Sequence, residues 1–199
     1  MTKVKLCGMK RIADIQAVNQ IKPDFIGFVF AVKSKRYVTP EQAADLRSIL
    51  SPDIAAVGVF VNEKPESIAG LLNTGIIDIA QLHGSETEND IAELRRLSSK
   101  PIIRAFKIRE KTDLQAAADC SADIVLLDAG AGDGIRFDWE LLDHFDRPYF
   151  LAGGLDPENI RDAISRCHPY AVDVSSGIET DGFKDRVKMQ AFVSAVRAQ

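Results

Sequence analysis

The sequence is poor in the residues that staple or metallate a small protein. Its three cysteines, Cys7, Cys120 and Cys167, are odd in number and far apart, which fits neither a disulfide framework nor a paired-cysteine metal site. The three histidines, His83, His144 and His168, are also scattered and form no helical metal-binding pair; no metal is expected. No apolar stretch approaches the roughly 20 residues that span a bilayer, so no membrane partner is expected. The N-terminus, MTKVKLCGMK, carries charge where a secretory signal would need a long apolar region, and a cytoplasmic location follows as the expectation. Nor does a basic tract mark a nucleic-acid footprint. The net charge is −4, and the longest basic cluster, KSKR at 33–36, offers no more than one anion contact. Finally, no G-x-G-x-x-G follows the first apolar run, where CGMKRI stands; this counts against an open, doubly wound nucleotide-binding sheet.

What is present is a repeat. The 199 residues are 46% hydrophobic and 27% charged, an ordinary globular make-up and enough for one sizeable core. Short apolar runs alternate with amphipathic segments: VKLC (4–7), FIGFVF (25–30), AAVGVFV (55–61), IIDIAQLH (76–83), PIIRAFKI (101–108), DIVLLDA (123–129), PYFLAG (148–153) and AVDVSS (171–176). Between them lie helix starts. Thr39 is placed to cap a helix opening on Pro40, and Asp156 with Pro157 repeats the arrangement. SETENDIAELRRL and DWELLDHF open on acidic residues that suit a helix N-terminus. The last segment, KDRVKMQAFVSAVRA, carries apolar residues at 187, 189, 192, 193 and 196. Eight strand–helix units of about 25 residues predict an α/β fold, a single (β/α)8 TIM barrel over residues 1–199.

In such a barrel the chemistry sits at the C-terminal ends of the strands. Those ends read Cys7-Gly8, the loop AVKSKR, Val61-Asn62, His83-Gly84, Lys107, Asp128, Gly153-Gly154 and Ser175-Ser176-Gly177. Asn62 is expected to cap the helix after the third strand. LAGGL and DVSSGIE follow strands seven and eight, where barrels of this kind bind phosphate. Glycine lets backbone N–H groups approach an anion, and serine hydroxyls add donors. Strand parity adds a further expectation. Side chains two apart share a face, so Lys5 lies in the lumen below Cys7, as Asp173 does below Ser175. Strands one and eight are neighbours in a closed barrel, and a buried charge needs a partner; a Lys5–Asp173 ion pair is predicted, supplying positive potential that favours the Cys7 thiolate.

VKLCG, KSKRYVTPEQA, GVFVN, QLHG, LLDA, FDW, AGGL and AVDVSSGIE occur in this order. Together they resemble the phosphoribosylanthranilate isomerase family of tryptophan biosynthesis, from Val4 to about Asp185. The resemblance implies a single barrel that needs no cofactor. It implies an Amadori rearrangement of N-(5-phosphoribosyl)anthranilate to 1-(o-carboxyphenylamino)-1-deoxyribulose 5-phosphate. It makes Cys7 the general base, Asp128 the general acid and Arg36 the partner of the anthranilate carboxylate. Substrate contacts are expected from Arg36 and His83, from Gly153 and Gly154, and from Asp173, Ser175, Ser176 and Gly177. The phosphorylated small-molecule substrate is the only partner expected, and a monomer is the expected state.

The chain departs from the family in AGDGIRFDW (131–139), where Asp133 and Ile135 replace a threonine and a lysine. An extra carboxylate there would repel an anionic substrate, while Gly132 and Gly134 keep the loop able to fold over it. Two other readings stand beside this one: another phosphosugar isomerase on the same barrel, and a phosphosugar-binding barrel without activity. Cys7 opposite Asp128 counts against both. A domain of a fused bifunctional enzyme is a third, and a free-standing chain is expected instead.

Overall fold

Short runs of β-branched and large apolar residues, each ended by glycine or a polar residue, become the strands. In the computed structural model, which describes residues 1–128, 142 and 145–199, eight parallel strands form a closed barrel in chain order, with β8 hydrogen-bonded back to β1. They are β1 (Lys3–Cys7), β2 (Phe25–Val29), β3 (Ala55–Phe60), β4 (Ile79–Leu82), β5 (Ile102–Lys107), β6 (Ile124–Asp128), β7 (Tyr149–Ala152) and β8 (Ala171–Val174). Seven helices are described: α1 (Ile12–Ile21), α2 (Pro40–Ser48), α3 (Pro65–Asn73), α4 (Glu88–Leu97), α5 (Lys111–Asp119), α6 (Ile160–Cys167) and α7 (Arg186–Arg197). Of the expected helix in DWELLDHF, all but Leu142 and Phe145 lies outside the described residues, as does the 131–139 loop with Asp133 and Ile135.

The start signals act as expected at α2 and α4. Thr39 Oγ1 accepts from the Gln42 N–H while Gln42 Oε1 accepts from the Thr39 N–H, at 3.2 and 3.0 Å, and Thr87 with Asp90 repeats this box. Asp156 makes the bonds of a cap as well: its Oδ1 accepts from the N–H groups of Glu158 and Asn159 and its carbonyl from the Ile160 N–H. The turn it opens leads into α6, whose regular helix begins at Ile160. In α7, Met189, Phe192, Val193 and Val196 are buried, but Val187 is exposed; two residues before Met189, it lies on the opposite side of the helix. Ile76 and Ile77 precede β4 rather than joining it, because both N–H groups bond the Leu71 carbonyl behind α3.

Both faces of the strands are covered, so β2 is buried at every residue. Outside, the apolar faces of the helices pack on the strands. Inside, Phe25, Val57, Ile79, Ile103, Leu126 and Phe150 fill the lumen, which makes it a core and not a pore. One layer below Cys7 the filling turns polar. Lys5, with no exposed surface, is register-paired to Asp173 across the β1–β8 seam, and its Nζ lies 2.8 Å from Asp173 Oδ2. The pair predicted from parity is present.

Removing one partner of a buried ion pair strands the other. Lys5→Met is expected to lower unfolding free energy by about 3–5 kcal/mol, read from urea denaturation. Adding Asp173→Leu to the same chain should recover most of the loss. A Lys5→Met protein as stable as wild type would mean that the pair contributes nothing to the fold.

Candidate active site

A cavity of about 330 Å3 opens at the C-terminal ends of the strands. Cys7, Arg36, His83, Asp128, Gly153, Gly154, Asp173, Ser175 and Ser176 all line it. Gly177 does not; it sits behind, where a Cβ would lie 2.0 Å from the Leu155 carbonyl oxygen. Only glycine permits that approach of the loops after β7 and β8, so its described role is packing.

Cys7 ends β1, and its sulfur occupies the space that a side chain at Gly27 of β2 would need, since a Cβ there would be 2.6 Å from Sγ. The thiol is buried. Burial pushes it above its ordinary value; Lys5 and Lys184 pull it down and Asp173 pushes it up, and the net direction is up. Lys5 favours the thiolate as expected, but the loss of water and the neighbouring carboxylate outweigh it. Burial alone would pull Lys5 down as well, yet Asp173 holds it above the ordinary lysine value. The cluster is therefore a Lys5–Asp173 pair beneath a thiol whose ionisation is disfavoured.

Asp128 closes β6, three strands from β1 around the ring through β8 and β7. Its Oδ2 lies 3.3 Å from Nε2 of His83, which follows β4. His83 Nδ1 is 2.9 Å from the side-chain amide of Gln81, and Gln81 in turn accepts from Lys5 Nζ at 2.9 Å.

Arg36 reaches the rim from the loop after β2. Its Nε and Nη2 donate to the two carboxylate oxygens of Glu179 at 2.7 and 2.8 Å, a bidentate fork. Glu179 begins a short hairpin, β9 (Glu179–Thr180) and β10 (Phe183–Lys184), which follows a single 3-10 turn, Ser176–Ile178. The hairpin returns Lys184, whose Nζ donates to Glu179 Oε1 at 2.6 Å and to the Ser175 carbonyl at 2.9 Å. Burial alone would raise Glu179, but Arg36 and Lys184 hold it down at about 2. Ser175 Oγ donates to the Cys7 carbonyl, which ties the loop after β8 to the end of β1. In the loop after β7, Gly153 and Gly154 both take positive φ, 95° and 63°.

Gln81, Glu179 and Lys184 are absent from the set expected from sequence. Gln81 was accessible by parity, two residues before His83 on one strand. Asn62, expected as a helix cap, has φ +54°, and α3 opens at Lys64–Pro65 instead. Its Oδ1 accepts from the Ser85 N–H and hydroxyl, pinning the loop after β4. Among the described residues no cluster of histidine, cysteine or carboxylate side chains could hold a metal ion, and no helix is long and apolar enough to cross a membrane.

Residues 4–195 match the family model described as N-(5'phosphoribosyl)anthranilate (PRA) isomerase. An N-(5'-phosphoribosyl)anthranilate isomerase of a Thermoanaerobacter species is 43% identical, covering 99% of this chain and 98% of its own. The crystal structure of phosphoribosyl anthranilate isomerase from Thermotoga maritima superposes with a TM-score of 0.92 at 35% identity over the whole of both chains. A second solved structure, of such an isomerase in complex with reduced 1-(o-carboxyphenylamino)-1-deoxyribulose 5-phosphate, superposes at 0.89 and 35% identity, again over both whole chains.

Glu179 gives the rim a pH signature. Its folded value is about 2 against an ordinary 4.5. A depressed carboxylate contributes stability above its unfolded value and loses it as pH falls through the folded one. Wild type should therefore lose stability between pH 4.5 and about 2, measured by urea denaturation at stepped pH. Glu179→Gln should be less stable at neutral pH and flatter across that window. Parallel curves for the two proteins would show that Glu179 is not the group responsible.

Proposed function

The chain belongs to the N-(5'-phosphoribosyl)anthranilate isomerase family, and we propose that it performs that isomerisation with Cys7 as general base and Asp128 as general acid. The substrate is a phosphorylated small molecule of tryptophan biosynthesis, and the reaction turns an aldose-derived amine into a ketose. The observation that carries the assignment is that a thiol from β1 and a carboxyl from β6 line one cavity while hanging from separated strands of a closed barrel. A ribose lies between two such groups, with acid and base reaching different atoms.

Asp128 gives its proton to the ribose ring oxygen. The C1′–O bond breaks and the anilino nitrogen lone pair forms the Schiff base, which is cationic. Cys7, as thiolate, takes the C2′ proton. The C–H electron pair becomes the C1′–C2′ double bond, and the iminium pair returns to nitrogen. The resulting enolamine tautomerises to the ketone. The cationic Schiff base offsets the cost of an anion at the buried sulfur at the moment it is needed.

Arg36 has five N–H donors, of which Glu179 engages the Nε–Nη2 edge. The Nη1–Nη2 edge matches a second carboxylate, that of anthranilate. Gly153, Gly154, Ser175 and Ser176 make the phosphate end. The same reading includes action as a monomer in the cytoplasm. Its exposed large apolar side chains, among them Ile49, Leu97 and Val187, are distributed over α2, α4 and α7 and their ends, and sedimentation equilibrium tests it.

The deciding experiment is turnover of freshly generated N-(5'-phosphoribosyl)anthranilate. Cys7→Ala and Asp128→Asn should each lower kcat by about 10²–10⁴-fold with little change in KM; near wild-type kcat in either variant would falsify that residue's role. Arg36→Ala should raise KM and spare binding of inorganic phosphate. Because burial holds the thiol above its ordinary value, the thiolate absorbance of Cys7, taken as wild type minus Cys7→Ala, should still be rising with pH at about 8.5, the value of an unperturbed cysteine. A difference titration already level by then would show that burial does not hold the thiol up.

A further inference from the structure

The side chains between the thiol and the carboxyl form an unbroken hydrogen-bonded run, and its donor–acceptor sense is fixed at one end. Lys5 Nζ donates to Asp173 Oδ2 and to Gln81 Oε1, at 2.8 and 2.9 Å, with the Cys7 thiol beside it. An ammonium has donors and no acceptor, so Gln81 must present its oxygen to Lys5. The amide is planar, which leaves its NH2 toward His83, with Nε2 at 2.9 Å from Nδ1. An NH2 group only donates. His83 Nδ1 must therefore be the bare, accepting nitrogen, and the ring proton belongs on Nε2, which faces Asp128 Oδ2 at 3.3 Å.

From this we infer that Lys5 and Gln81 are positioning residues that lock His83 as the neutral tautomer with its proton on Nε2, aimed at the catalytic carboxyl. The inference rests on the reading of Asp128 as the general acid. When Asp128 gives up its proton, the waiting N–H stabilises the new carboxylate without any reorganisation. The lock also excludes the imidazolium, because a proton on Nδ1 would face the Gln81 NH2. That exclusion matters for the chemistry. A cation at His83 would hold Asp128 as carboxylate and withhold the proton that ring opening requires. The same ammonium thus stands beside the base and, through two neutral side chains, sets the polarity at the acid. Glu86 and Arg104, the other charged pair near this strand end, are engaged with each other and with backbone groups.

Long-range 15N–1H spectra of histidine rings distinguish the two tautomers and the doubly protonated ring, and the sequence holds only three histidines. The signal of His83 is the one lost in His83→Gln. In the free wild-type enzyme near neutral pH it should show the neutral ring with the proton on Nε2. In Gln81→Glu the carboxylate invites a proton onto Nδ1. The His83 signal should become that of the doubly protonated ring, and kcat should fall about tenfold or more, a fraction of what an acid–base group contributes, with KM nearly unchanged. Gln81→Leu removes the amide altogether and should give mixed tautomers. A merely structural Gln81 would change stability without moving the tautomer. Wild-type His83 with its proton on Nδ1, or doubly protonated, overturns the lock whatever the turnover; so does a Gln81→Leu enzyme that keeps both the wild-type tautomer and the wild-type kcat. An Nε2–H tautomer in a wild-type protein without isomerase activity would overturn instead the assignment of Asp128 that gives the lock its purpose.

Discussion

A lysine ammonium with no exposed surface sits in the barrel lumen, and much of the site is arranged around the need to satisfy it. Water is excluded, so its acceptors must come from the protein. Asp173 supplies charge, and Gln81 supplies a carbonyl. The thiol of Cys7 interacts with it electrostatically. Each of these groups is itself constrained by the contact. Asp173 cannot turn away without leaving two buried charges apart. Gln81 cannot flip its amide without setting N–H groups against an ammonium. Desolvation usually makes a buried ion a liability; here it makes the ion an organiser, because the cost of any other arrangement is so high.

The rim follows the same logic with more water. Glu179 lies between Arg36 and Lys184, so three ionised groups meet with a net charge of one positive unit. Lys184 then spends its remaining contacts on Ser175, and Ser175 on the carbonyl of Cys7. The loop after β8, the arginine and the thiol are thereby linked through side chains on β1, the loop after β2 and the hairpin after β8. Preorganisation of this kind lowers the reorganisation needed when substrate arrives.

Much of this was legible in the sequence because it depends on period and order alone. Alternating strand and helix patterns specify a closed barrel, and parity with closure brings Lys5 to Asp173 although 168 positions separate them. Strand ends then list the cavity. What parity cannot reach is a contact between loops. Arg36 meeting Glu179 depends on a hairpin of two-residue strands, too short to carry a pattern. A local polar residue misled for a related reason. Asn62 is a good cap residue, yet it bonds to loop backbone instead of opening a helix; the sequence signal for cap and for turn is the same. The net direction at Cys7 was also beyond reach, since it depends on how much water is lost around sulfur as well as on which charges are near.

The Lys5–Asp173 contact has a consequence for how the chain is made. A ribosome delivers β1 first and β8 last, so the lysine is synthesised long before its carboxylate. Strands β1 to β4 supply the ammonium and the Gln81 carbonyl but no countercharge. A half-finished barrel that closed on itself would trap a bare cation in an apolar lumen, at a cost of several kcal/mol. Burial of the ammonium is thus disfavoured until β8 brings the carboxylate, so that ring closure and charge neutralisation favour each other and a single amino group opposes premature collapse.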